Sequence, residues 1–140
     1  MLRLFVAGFG VALMSVVLLS GNNSVGAANA AADPGIEDIM KKLFKGGKSL
    51  HKTAGKALEA ATPDWADVGP MAKTYAEQAA ALPKNAVPKG DAKSWAKLTK
   101  QFADDAKSFD AAVAKKDKAA SVAAWGKLNK SCTACHDEHR

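Results

Sequence analysis

Apolar side chains recur at helical spacing in four successive segments of the chain, residues 35–60, 64–82, 91–115 and 117–140. They return every three or four positions, as in an amphipathic helix, and no segment shows the alternation of a half-buried strand. Four such helices joined by short loops predict an all-α fold, an antiparallel four-helix bundle. The clearest stripes are Ile36, Ile39, Met40, Leu43, Phe44, Leu50, Ala54 and Leu58 in the first helix, Trp95, Leu98, Phe102, Phe109 and Val113 in the third, and Val122, Trp125, Leu128, Cys132 and Cys135 in the fourth.

Proline, glycine and aspartate mark the predicted helix ends. Pro70 interrupts the second segment, and because proline is tolerated in a first helical turn but not in a helix interior, the regular helix is expected to begin there. Pro83, Pro88 and Gly90 predict a loop between the second and third helices. Asp91 is the expected N-cap of the third helix.

The N-terminal region has the pattern of an export signal. Arg3 precedes an apolar run over residues 4–19, and a small, Ala-rich stretch follows. This order predicts a secretory signal peptide over residues 1–30, cleaved near residues 28–31, and one exported domain over residues 31–140 in the periplasm of a bacterium. The alternative is a retained membrane anchor, but the run is shorter than the ~20 residues that a spanning helix needs.

Charge adds a weak indication of a partner. The chain has 20 basic and 14 acidic residues, and loss of Arg3 with the signal peptide leaves 19 − 14 = +5. The lysines are spread along every segment, which favours a solvated helical surface, with docking to an acidic protein as the alternative. No basic tract with interleaved aromatic residues is present, which argues against nucleic-acid binding.

The strongest chemical motif lies near the C-terminus and reads Cys132-Thr133-Ala134-Cys135-His136. Cys-x-x-Cys-His is the pattern of c-type haem attachment, in which two thiols form thioethers with the porphyrin and the imidazole binds the iron. Positions i, i+3 and i+4 share one helical face, so all three groups can meet one haem. The chain has two cysteines in all, which predicts one haem c per chain.

Three other interpretations of the same residues stay open. A disulfide between Cys132 and Cys135 suits an oxidising compartment. A thioredoxin-like redox pair expects a βαβ setting, which the pattern lacks. A zinc site from Cys132, Cys135, His136 and His139 is cramped, because zinc fingers usually separate their ligand pairs by about a dozen residues.

The position of the motif, at the end of a fourth helix, resembles the class II cytochromes c, the family of cytochrome c′ and its low-spin relatives. Members often continue from the motif to an aromatic residue followed by arginine, whereas this chain has His139 before Arg140. The resemblance implies a haem enclosed by the bundle, His136 as the proximal iron ligand and Arg140 near the haem. It also implies a monomer or a homodimer.

The motif does not specify the distal ligand of the iron. Low-spin members take a methionine from the first helix, and the Ile39-Met40-Lys41 setting places Met40 at that position. Gly47, on the same face, is expected to let the macrocycle approach the backbone. His51 is the alternative, but on one continuous helix it lies ~16 Å from Met40, so only one of them can meet the iron. The third possibility is a five-coordinate iron.

A haem held by His136 and Met40 has no open site for a substrate. The predicted function is therefore one-electron carriage between redox partner proteins, without enzymatic activity. The first alternative is a five-coordinate, gas-binding protein like cytochrome c′. The second is a haem-free helical protein with a disulfide or a metal at Cys132 and Cys135.

Overall fold

The computed structural model describes residues 33–140, so the predicted signal peptide over residues 1–30 lies outside the described residues. The described part contains helices and no strand, which confirms the all-α prediction. Its α-helices are α1 Ile36–Phe44, α2 Leu50–Glu59, α3 Trp65–Ala81, α4 Ala92–Ala114 and α5 Lys118–His139, with a short 3₁₀ turn Leu82–Lys84 after α3. Within residues 33–140, no helix has both the length and the apolar character needed to cross a membrane.

The prediction of one continuous first helix is wrong, because the chain turns at residues 45–49 and begins a second helix. Gly46 adopts a φ of 89°, a left-handed conformation that glycine adopts without steric cost. Ser49 then caps α2, its side-chain oxygen accepting a hydrogen bond from the Lys52 N–H at 3.3 Å. A flexible glycine followed by a good N-cap residue ends one helix and starts the next.

The prediction that the second regular helix begins at Pro70 is also wrong. Helix α3 starts at Trp65 and contains Pro70 in its interior. Its first turn is capped by Asp64, whose carboxylate accepts from the Ala66 N–H at 2.9 Å. Proline removes the hydrogen bond that would reach the carbonyl four residues earlier, at Ala66. Ala66 is exposed, so water can hydrate that carbonyl.

Helices α4 and α5 form the antiparallel pair that carries the haem motif. They are joined by residues 115–117, where Lys116 has a φ of 56°, and they pack along their whole length. At the far end of the pair, the Lys89 ammonium donates to the Arg140 carbonyl at 3.2 Å. The beginning of α4 therefore lies beside the end of α5, where the motif is found.

The remaining helices complete the bundle around this pair. Helix α3 packs against α4, α2 packs against both α3 and α5, and α1 packs against α2 and α3. The core side chains come from all five helices, and the largest fully buried ones are Tyr75, Phe109, Ile39, Leu43 and Leu128. The predicted helical bundle is confirmed, with its N-terminal arm divided into α1 and α2.

One residue of the predicted inner face of the fourth helix is misplaced. Val122 is 46% exposed, whereas its neighbour Ser121 is fully buried. The Ser121 hydroxyl donates to the Asp117 carbonyl at 2.6 Å. Because that bond satisfies the hydroxyl, serine can face the core at little cost.

The N-cap of α4 provides a first test of the fold. The Asp91 carboxylate accepts from the Ser94 N–H at 2.7 Å, as the sequence predicted. Asp91→Ala is expected to lower the free energy of unfolding by about 1 kcal/mol, measured by urea denaturation. Asp91→Asn keeps an acceptor and should unfold close to the native midpoint. Equal losses in the two variants would contradict a capping role.

Candidate functional site

The three motif residues meet at one cavity. Cys132, Cys135 and His136 lie on α5 and line a cavity of about 260 Å³, which we call the inner cavity. Most of its wall is apolar and comes from the other helices. The remaining lining residues are Met40, Phe44, His51, Leu82, Leu98, Thr99, Phe102 and Ser131.

A second, larger space adjoins the same residues. This outer cavity measures about 580 Å³ and shares Met40, Phe44, Leu82, Cys135 and His136 with the inner cavity. It extends toward the end of the bundle, where Trp95, His139 and Arg140 are among its lining residues. Concave, mostly apolar spaces with a few convergent polar groups are typical of cofactor sites, at roughly 300–1,000 Å³.

Both motif thiols are half-buried and unpaired, so no disulfide joins them. Burial raises the pKa of Cys132. Burial also raises the pKa of Cys135, with smaller contributions from Cys132 and Glu138. Because the thiolate is the reactive species in disulfide exchange, protonated thiols resist oxidation at neutral pH. They therefore stay available for the two thioether bonds of a c-type haem.

The residues present fit a covalently attached haem. One face of α5 brings two free thiols and one imidazole to an apolar cavity, and this is the donor set that the attachment needs. Cys132 and Cys135 would hold the macrocycle, and His136 would bind the iron from the α5 side.

Met40, on α1, lines the same cavity as the motif residues. Its side chain is half-buried and lines both the inner and the outer cavity, as His136 does. The structure does not support the expected role of Gly47, which is exposed and lines neither cavity. A Cβ built on Gly47 would meet nothing within 4 Å. No other group therefore approaches Gly47 so closely that a side chain would be excluded there.

His51 lines the same cavity as the motif residues. The predicted separation of ~16 Å between Met40 and His51 assumed one straight helix, whereas the two residues lie on separate helices, α1 and α2. Both side chains line the inner cavity together with His136. The His51 ring stacks on Trp125, with ring centroids 4.6 Å apart and an interplanar angle of 30°. Its Nδ1 lies 3.1 Å from the Tyr75 hydroxyl.

This contact belongs to an aromatic cluster that sequence reasoning missed. Phe44, His51, Tyr75 and Trp125 come from four different helices and touch one another, with centroid distances from 4.6 to 6.2 Å. Tyr75 is fully buried, and burial strongly raises the pKa of its phenol. No local sequence pattern predicts such a cluster, because its members are far apart in sequence.

His139 is a packed residue and not a zinc ligand. Its side chain is 1% exposed, its Nδ1–H donates to the Lys89 carbonyl at 2.7 Å, and its ring meets the Trp95 ring edge-on at 5.3 Å. Residues 33–140 contain no group of three or more His, Cys, Asp or Glu side chains that could hold a metal ion, so the zinc interpretation has no geometric support.

Comparison with known families agrees with this geometry. Residues 90–140 match the family model described as Cytochrome C′. The matched segment covers α4 and α5, and so includes the Cys132–His136 motif. Met40 and His51 lie outside it. Neither a search of curated proteins nor a search of solved structures found a match.

Proposed function

We propose that the chain is a c-type haem protein of the cytochrome c′ family, whose model matches residues 90–140, and that it carries single electrons between redox partners. One haem c is attached through Cys132 and Cys135. His136 and Met40 are its axial ligands. Bound there, the haem supplies a reversible one-electron couple.

The observation that carries this proposal is the position of Met40. It and His136 line the same two cavities, one residue from α1 and the other from α5. An iron bound by both has no open coordination position, which suits electron transfer rather than substrate chemistry or gas binding. Thioether ligation also raises the reduction potential of the haem.

The surroundings of the site are consistent with an electron carrier. The wall of the inner cavity includes Phe44, Leu82, Leu98 and Phe102, and such an apolar shell limits water near the iron and tunes its potential. The protein contributes ligands, dielectric environment and docking surface, whereas the redox chemistry is that of the cofactor.

We further propose that the protein works in the periplasm. The N-terminal sequence has the pattern of an export signal. The net charge of +5 after loss of Arg3 (19 − 14) favours encounter with acidic redox partners, because a net field steers association. Such binding would weaken as salt concentration rises.

The optical spectrum of the holoprotein tests the ligation. A low-spin spectrum with a far-red sulfur-to-iron band is expected, and Met40→Leu should abolish that band and lower the midpoint potential. Met71→Leu is the matched control, because Met71 is partly buried but lines neither cavity. It should retain the band.

A different spectrum would contradict the proposal. If the native protein is high-spin and its spectrum changes on addition of carbon monoxide, the iron is five-coordinate. The gas-binding function would then replace electron carriage.

A further inference from the structure

We propose that His51 is a reserve ligand of the haem iron, which binds when the Met40 thioether is lost or dissociates. This inference rests on the proposed function, since it takes Met40 as the resident ligand. Two observations suggest it: His51 shares the inner cavity with Met40 and His136, and its ring is held in one orientation by contacts with three other helices.

The broken N-terminal arm brings the two ligands to one cavity. Met40 is near the end of α1 and His51 is the second residue of α2. The turn between them, residues 45–49, contains Gly46 with a φ of 89°. The reversal lets both side chains line the inner cavity, whereas on one straight helix they would lie ~16 Å apart.

The surroundings of His51 resemble those of a metal-binding histidine. Such a histidine usually donates its second ring N–H to a fixed partner, which sets the tautomer and the ring orientation. Here the Nδ1 of His51 lies 3.1 Å from the Tyr75 hydroxyl, and Tyr75 is fully buried. When Nδ1–H donates to that oxygen, the lone pair is on Nε2, the atom that would bind iron.

Ring packing also restrains the same side chain. His51 stacks on Trp125 at 4.6 Å and contacts Phe44 at a centroid distance of 5.0 Å. Phe44 also lines the inner cavity. A ring held in this way loses little further conformational freedom when it binds a metal, which favours coordination over that of a mobile side chain.

The protonation state also suits a ligand. Burial lowers the pKa of His51, an effect that a hydrogen bond with Asn129 partly opposes. Neutral imidazole is the metal-binding form.

Competition between the two side chains follows from their donor atoms. Thioether sulfur is a soft ligand, while imidazole suits iron in general. Met40 can therefore hold the site in the resting protein, and His51 can take it when the thioether is removed by mutation or dissociates from the iron. The protein would then stay low-spin and closed to exogenous ligands, with a lower potential.

Three holoprotein variants test the proposal: Met40→Leu, His51→Phe and the double variant. Met40→Leu should lose the sulfur-to-iron band but remain low-spin by optical and electron paramagnetic resonance spectroscopy. The double variant should become high-spin and bind carbon monoxide. His51→Phe alone should keep the native spectrum, and its phenyl ring preserves an aromatic partner for Trp125. Circular dichroism of each variant would check that it is folded.

The outcomes separate this inference from the proposed function. A high-spin Met40→Leu protein, with the same carbon monoxide affinity as the double variant, would overturn the reserve role and leave Met40 ligation standing. A native protein without the sulfur band that becomes high-spin on His51→Phe alone would make His51 the resident ligand. That result would overturn both the reserve role and the Met40 assignment.

Tyr75 supplies a second test that does not disturb the cavity wall. In the Met40→Leu background, Tyr75→Phe removes only the hydroxyl that fixes Nδ1. Loss of such a partner weakens metal binding roughly 10–100-fold, so carbon monoxide should displace His51 and bind correspondingly more tightly. An unchanged carbon monoxide affinity would overturn the role assigned to the Tyr75–His51 contact.

Discussion

Replacement of both Cys132 and Cys135 by serine is expected to abolish haem staining after denaturing electrophoresis. A serine hydroxyl does not form the thioether that holds a c-type haem. His136 would remain on the same face of α5, but a single coordinate bond does not survive denaturation. The native chain should stain strongly, and the double variant should run as an unstained band of nearly the same mobility.

Single variants and a neighbouring control make this result specific. Cys132→Ser and Cys135→Ser each keep one thiol at the inner cavity, so any chain that acquires haem should retain it through one bond. Ser131→Ala is the matched control, because Ser131 lines the inner cavity but is outside the motif. It should stain as the native chain does.

The same gel addresses the haem-free interpretation. An unstained native protein, purified from a host that matures c-type cytochromes, would mean that the thiols serve another purpose. Staining that persisted in the double variant would mean that the attachment lies elsewhere in the chain. The described geometry argues against both results, since the two thiols are free and open on one apolar cavity with His136.

The motif-bearing half of the fold could be predicted from sequence because its signals are local. Asp91, the predicted N-cap of the third helix, accepts a backbone N–H at 2.7 Å. Asp117, where the fourth segment was predicted to begin, accepts one at 2.9 Å. Cys132, Cys135 and His136 share a face for the same local reason, the period of the helix. Whether they hold the haem is a prediction that the staining experiment tests.

The N-terminal arm was harder to predict because two local signals competed. Ile36, Met40 and His51 suit one long amphipathic stripe, and isolated glycines are tolerated within helices. The adjacent Gly46 and Gly47, followed by Ser49, indicate a helix end and a new N-cap. In the structure the second signal prevails, and this changes which residues share the inner cavity.

The distal surroundings could not be predicted, because they depend on contacts between helices. His51 meets Tyr75 and Trp125, which are 24 and 74 positions further along the chain. Such contacts follow from the packing of α2 against α3 and α5, and a periodic pattern within one helix carries no information about them. The Met40 assignment itself rests on resemblance and cavity position, so spectroscopy must decide it.

Gly90→Ala is expected to destabilise the protein by about 2–4 kcal/mol, the sum of backbone strain and steric overlap. Gly90 has a φ of 82°, and a Cβ built there would lie 2.7 Å from the Glu138 carbonyl oxygen and 3.1 Å from His139 Nδ1. One of these atoms is backbone, so the loop or the last turn of α5 must shift. That last turn of α5 lies next to His136 in the sequence. The hydrogen bond of 2.7 Å between the His139 ring and the Lys89 carbonyl joins the same loop to the same turn.

Gly126→Ala provides the matched control, because it makes the same chemical change with the opposite expected sign. Gly126 lies inside α5, and a Cβ there would meet nothing within 4 Å. Alanine is the better helix former by about 1 kcal/mol, so this variant should unfold at the native urea concentration or above it. A Gly90→Ala variant that is as stable as Gly126→Ala would contradict the close approach of the loop to α5. A destabilised Gly90→Ala variant with a perturbed haem spectrum would show that this contact also holds the end of the motif helix in place.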